Sequence, residues 1–126
     1  MSKTDFFDAI AIKVRAPSGK MIVVINEHEN KPHSIQIYIG KTGSTLFAWT
    51  SGLAELVSLA LQGGITLEKI MSALSNITSD KLVRDGEVLI RSDIDALVYA
   101  MNKYKHNRYN QSDLVNFKPR RILNQP

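Results

Sequence analysis

The sequence predicts an α+β domain: a three- to four-stranded antiparallel sheet packed with a long apolar helix and two further helices. Three observations carry this reading. Apolar and alternating runs separated by turn clusters fill the N-terminal third. A long, almost uniformly apolar run follows and stops at paired glycines, and two shorter stretches then show a polar cap ahead of a single apolar face.

The first strand is read from Ala9 to Arg15 and the second from Met21 to Asn26. Between them Pro17, Ser18, Gly19 and Lys20 form a turn cluster of hairpin length. A second turn, EHENKP, leads to a third strand, where Ile35, Ile37 and Ile39 alternate with Gln36 and Tyr38. That alternation makes one face apolar and leaves the other for water, a partner or a ligand.

The long helix begins near Ser44 or Thr45, since either hydroxyl can cap free amides. Its apolar residues, among them Leu46, Phe47, Trp49, Leu53, Leu56, Val57, Leu59 and Leu61, exceed one stripe, which predicts burial on most sides. One small sheet cannot cover that much apolar surface, so at least a homodimer is expected. Gly63 and Gly64 end the helix. Thr66, Leu67, Ile70, Met71 and Leu74 start a second, shorter one. Gly86 and the EVLI that follows read as a short edge strand or an extended connection. Ser92 caps a third helix with Asp93 and Asp95 in its first turn and an apolar face of Ile94, Leu97, Val98 and Met101. No period persists beyond Lys105. The chain therefore divides into a single domain over residues 1–105 and a basic segment over 106–126, expected to order against a partner subunit.

At 126 residues the chain holds one core and little room to enclose a cofactor, and no cofactor is expected. Without cysteine it has no disulfide or thiolate metal site, as suits a reducing cytoplasm. No apolar run spans a membrane, and Asp5 and Asp8 interrupt anything resembling a secretory signal. The net charge of +4 is unevenly placed. From Ala96 onward Lys103, Lys105, Arg108, Lys118, Arg120 and Arg121 face only Asp113, whereas the chain before that point is nearly balanced. A basic end of this kind attracts phosphates through a field that salt weakens, or simply solvates the tail.

Catalytic patterns are thin. His28, His33 and His106 lack helical ligand spacing, so no metal is expected, and no serine sits in a nucleophile elbow. The chain is read as a non-enzyme. Two groups of residues fit an anion instead. Lys41 and Gly43, just ahead of Ser44, place a cation and free amides at a helix start, although an ordinary strand-to-helix turn looks the same. Arg108 offers bidentate donors to a phosphate, with Asn107 beside it and Tyr104 and Tyr109 as stacking faces. Arg91 either joins the same anion or pairs with Asp93 or Asp95.

The run from Ala16 to Met101 resembles the TSCPD domain found at the C-terminus of adenosylcobalamin-dependent ribonucleotide reductases. Gly40, Lys41 and Gly43 reproduce a glycine, lysine, glycine pattern after a strand. Leu53, Leu56, Ser58, Leu59, Ala60, Leu61, Gly64, Glu68 and Ile70 reproduce the helix that follows, and Ser92, Asp95, Ala96 and Leu97 keep part of the closing pattern. The family's cysteine after the second helix is replaced by a stretch containing Thr78, Ser79 and Asp80, which removes any thiol role here. In its free-standing form the domain is similar to phage Thoeris anti-defense proteins. That resemblance implies a homo-oligomeric, non-enzymatic sponge in the infected host's cytoplasm, binding a cyclic ADP-ribose isomer or a cyclic oligonucleotide between subunits. No membrane partner is expected, and a nucleic-acid partner, which the basic tail would serve, stays the third and least favoured reading. The alternative is an accessory or regulatory subunit of a ribonucleotide reductase.

Overall fold

The computed structural model describes residues 8–40 and 44–113, with side chains over 8–40 and 46–107. The element order is β1 (Asp8–Ala16), β2 (Gly19–His28), β3 (Lys31–Ile39), α1 (Ser44–Gln62), α2 (Leu67–Leu74), β4 (Val83–Asp85), β5 (Val88–Ile90) and α3 (Asp93–Asp113). The fold is α+β, as expected. The three long strands form one antiparallel sheet in the order β1-β2-β3, and β4 and β5 form a separate hairpin.

Alternation decides which face of the large sheet is buried. Ile12 pairs with Val23, which pairs with Ile37; Val14, Met21 and Ile39 form the next row and Ile10, Ile25 and Ile35 the one before. Every residue in these rows except the half-buried Ile10 is buried. The opposite face carries Lys13, Gln36 and Tyr38 and stays exposed. The strands run further than the turn-rich sequence suggested: β2 and β3 join through Glu29 and Asn30 alone, both at positive φ (56° and 65°). Two consecutive left-handed residues make the tight, right-twisting hairpin turn that lets both strands continue to the tip.

The helices share the work of covering this sheet differently from the sequence expectation. α3 packs over β1 and touches β2 and β5, while α1 packs along β3. Ala96, Leu97, Ala100, Met101 and Tyr104 form the buried face of α3. The prediction that α1 is buried on most sides is corrected: it buries Ala54, Val57 and Ser58, yet Trp49, Leu56 and Leu59 are 75%, 64% and 59% exposed. A helix beside the last strand meets the sheet with one flank only. α3 also continues past Lys105 to Asp113, beyond the end of any apolar period.

Both sheet edges are closed by polar contacts. The Ser58 hydroxyl accepts from Ile35 N at 2.9 Å and donates to Ile35 O at 3.3 Å, and Gln62 Nε2 donates to His33 O at 3.2 Å. On the other side Arg15 N donates to Asp85 Oδ2 at 2.8 Å, holding the β4–β5 hairpin against β1. α1 then stops where expected: Gly64 (φ 96°) and Ile65 donate back to Leu61 and Ala60, a Schellman closure that glycine permits. Removing the hydroxyl in Ser58→Ala strands two buried backbone groups. Urea denaturation should show a loss of about 1–3 kcal/mol with an unchanged m-value.

Candidate functional site

A cavity of ≈ 390 Å³ opens at the end of the sheet marked by the β2–β3 turn. Asn30, Lys31 and Pro32 form one wall, Leu61 and Gly64 to Glu68 a second, and Tyr104 and Lys105 a third. Each wall has a local cause. The two-residue turn projects Lys31 past the sheet, the Schellman closure turns the chain sharply into α2, and the length of α3 carries Tyr104 and Lys105 over the opening. Thr66 caps α2 by accepting from Lys69 N at 3.1 Å, and the amides of Leu67 and Glu68 in that first turn have no intrahelical acceptor.

The cavity is cationic on its rim. Lys31 and Lys105 contribute positive charge, and Lys105 Nζ lies 3.4 Å from Glu68 Oε2 in an exposed pair. Such pairs are worth little in water, so Lys105 can turn to an incoming anion at small cost. At its floor the buried Tyr104 hydroxyl donates to an oxygen of the buried Glu27. His28 and His33 meet edge-on at the same end, ring centroids 5.6 Å apart. No group of three or more histidine, aspartate or glutamate side chains suited to a metal occurs among the described residues.

The predicted ligand residues separate into two ends. Tyr104, Asn107, Arg108 and Tyr109 belong to the far half of α3. Tyr104 is core, its ring forming an inner wall instead of a free stacking face. Asn107 has a buried Oδ1 with no hydrogen-bond partner among the described residues. Arg108 and Tyr109 fall in the last turns of α3, where only the backbone is described. Ser44 opens α1 as expected, and Lys41 and Gly43 lie outside the described residues. Arg91 sits at the start of α3, about 25 Å from Arg108 at the usual helical rise. A single protomer therefore does not gather Arg91 and Arg108 around one small ligand.

Arg91 has a partner of its own. Its Nε and NH2 donate to Asp95 Oδ2 and Oδ1 at 3.1 and 3.3 Å, and its backbone N donates to Oδ2 at 2.9 Å. Ser92 Oγ accepts from Asp95 N at 2.9 Å, so the expected cap of α3 is present. Burial pushes the Asp95 carboxyl up, but the side-chain and backbone hydrogen bonds from Arg91, and then its charge, outweigh this and hold it below the usual carboxylate range. Burial, then the nearby Asp85 charge, raises the Tyr99 phenol.

Sequence reasoning missed Asn30, Lys31, Thr66 and Glu68 as cavity walls. The available signal was the turn chemistry of Glu29 and Asn30, which brings Lys31 level with the start of α2.

The described residues thus form a small α+β fold: a three-stranded meander closed on one face by helices, with a polar-rimmed cavity at its turn end. The chain belongs to the TSCPD domain family, whose model matches residues 5–105, a domain associated with ribonucleotide reductases. No curated protein matches the chain at a significant level, and no solved structure does. No described helix is long and apolar enough to cross a membrane.

Two outcomes test this geometry. Tyr104→Phe removes one buried donor to Glu27 and should destabilise the fold by about 1–3 kcal/mol in chemical denaturation. Asp95 has a depressed native pKa, so its contribution is complete above the unfolded value of about 3.9 and is lost as pH falls through the native one. Asp95→Asn should therefore lower the melting temperature at pH 7 by a margin that shrinks as pH falls below about 3.9, flattening the acid-side slope.

Proposed function

We propose that the chain is a non-enzymatic sponge that binds and sequesters a cyclic nucleotide signal, a cyclic ADP-ribose isomer or a related cyclic oligonucleotide. Its setting is anti-defence in the cytoplasm of an infected bacterium. The observation that carries this reading is the turn-end cavity, where Lys31, Lys105 and the first-turn amides of α2 surround a space of ≈ 390 Å³. Cations and unpaired amides at a helix start are the usual means of holding phosphate oxygens.

Size and charge refine the reading. Ligand pockets commonly run from about 300 to 1,000 Å³, so this one takes part of a cyclic dinucleotide and leaves the remainder to a second subunit. The C-terminal quarter of the sequence, including Arg108, is basic, a further source of positive charge for an anionic ligand. Each charge-assisted hydrogen bond contributes about 1.5–3 kcal/mol, so a few of them account for micromolar or tighter binding. Absence of cysteine supports a role separate from thiol-dependent reductase chemistry. The family's association with ribonucleotide reductases favours one other reading, an accessory subunit of such an enzyme.

The test is direct. Protein incubated with a panel of cyclic ADP-ribose isomers and cyclic dinucleotides is freed of unbound ligand, heated, and the supernatant analysed by mass spectrometry. Release of an intact nucleotide is expected, with the Lys31→Ala, Lys105→Ala double variant binding at least about tenfold more weakly by calorimetry. Hydrolysed products would overturn the non-enzymatic reading. An empty supernatant together with co-purification of reductase chains would favour the subunit reading.

A further inference from the structure

We infer that the open face of the three-stranded sheet binds single-stranded nucleic acid, holding phosphates on Lys13, Arg15 and Lys20 and stacking a base on Tyr38. This surface is separate from the turn-end cavity and is independent of the ligand reading. Strand alternation turns the aliphatic rows inward and sets these side chains outward. Arg15 pairs with Lys20 in one outward row, the next is Lys13, Ile22 and Tyr38, and Gln36 lies one row further. Ile22 is half-buried and the others are exposed, Tyr38 with 50% of its surface open to solvent.

Charge selects an anion. Arg15 and Lys20 stand directly opposite one another across β1 and β2, a like-charge pairing that costs a sheet stability. Lys13 adds a third cation one row away, and no outward position between Ala9 and Arg15, Lys20 and Asn26 or Ser34 and Tyr38 carries an acid. Two carboxylates at this end of the sheet serve other donors: Asp85 accepts from Arg15 N, and Asp93 from Ser18 N and Oγ. Among the described residues none of the three cations has an ion pair. A polyanion laid on the face relieves their repulsion. The same charge argues against a second copy of the chain, because two such faces repel each other.

Spacing and side-chain chemistry select a single strand among polyanions. Lys13 and Arg15 are successive outward residues, about 6.8 Å apart along β1, close to one phosphodiester repeat of an extended chain. Tyr38 beside them offers a π-face, and basic residues interleaved with an aromatic are how open sheets hold unpaired bases. Gln36 carries both donors and an acceptor for a base edge. A duplex keeps its bases stacked away from Tyr38. An anionic membrane calls for apolar side chains that project from the face, whereas Ile22 is half-buried. An acidic peptide adding as a strand needs a free edge, and Ser58 and Gln62 occupy β3 while Asp85 occupies β1.

Fluorescence anisotropy of the full chain with a labelled oligothymidylate of about ten nucleotides tests this, a length within the span of one small β-fold. Binding should be micromolar at about 50 mM salt and fall with a log–log salt slope near about −2, since each of three phosphates contributes about 0.7 in a single strand. Lys13→Gln combined with Lys20→Gln should weaken binding at least about tenfold. Lys69→Gln combined with Lys81→Gln removes the same charge elsewhere and should change it less than about twofold. Tyr38→Ala should weaken it about fivefold or more. All five side chains are exposed, so thermal melting should report an intact fold. An unchanged anisotropy at the highest protein concentration, a flat salt response, equal losses in the two lysine pairs, or wild-type binding by Tyr38→Ala would each overturn the inference. Capture of phosphatidylglycerol vesicles without the oligonucleotide would overturn it in favour of a membrane surface.

Discussion

A three-stranded sheet presents two faces and two edges, and water satisfies an edge less specifically than a hydrogen-bond partner does. Here the interaction on which the arrangement depends is the clasp between Ser58 and both backbone groups of Ile35. It fixes α1 along β3, which directs the connection through Gly64 into α2 and leaves β1 and part of β2 to α3. On the opposite edge Asp85 plays the corresponding part for Arg15. Exposed strand edges invite pairing with other chains, and these contacts remove much of that opportunity.

From this placement two consequences diverge. Because α1 lies beside the sheet, its second apolar flank has no cover within the described residues. Because α3 packs over β1 and then continues, it overhangs the turn end and builds a cavity there with Lys105 and Tyr104. The ends of the molecule thereby differ in chemistry. One holds the Arg91–Asp95 pair and the hydrogen bonds from Ser18 to Asp93, a closed polar network. The other holds Lys31, Lys105 and the buried Asn107 Oδ1, which has no hydrogen-bond partner among the described residues.

The candidate site was only partly legible for a physical reason. Basic residues of the last quarter are visible as charge, but their use depends on which surface the helix crosses. Tyr104 illustrates the difficulty: its position among Asn107, Arg108 and Tyr109 suggests stacking, whereas burial against Glu27 makes it a structural donor. Lys31 shows the converse. It reads as a solvated turn residue until the left-handed pair Glu29 and Asn30 tightens the hairpin and brings it level with α2.

By itself the sequence determined the three long strands, their buried face, the glycine stop after α1, the Thr66 and Ser92 caps, and hence the α+β class, but not the separate β4–β5 hairpin. These follow from side-chain alternation and from local hydrogen bonds, both of which are properties of near neighbours along the chain. Tertiary structure alone decided that α3 packs over β1 while α1 lies along β3, that half of α1 faces outward, and that the cavity lies at the turn end. Those outcomes rest on contacts between residues far apart in sequence, such as Ser58 with Ile35 and Tyr104 with Glu27, whose pairing no local pattern encodes.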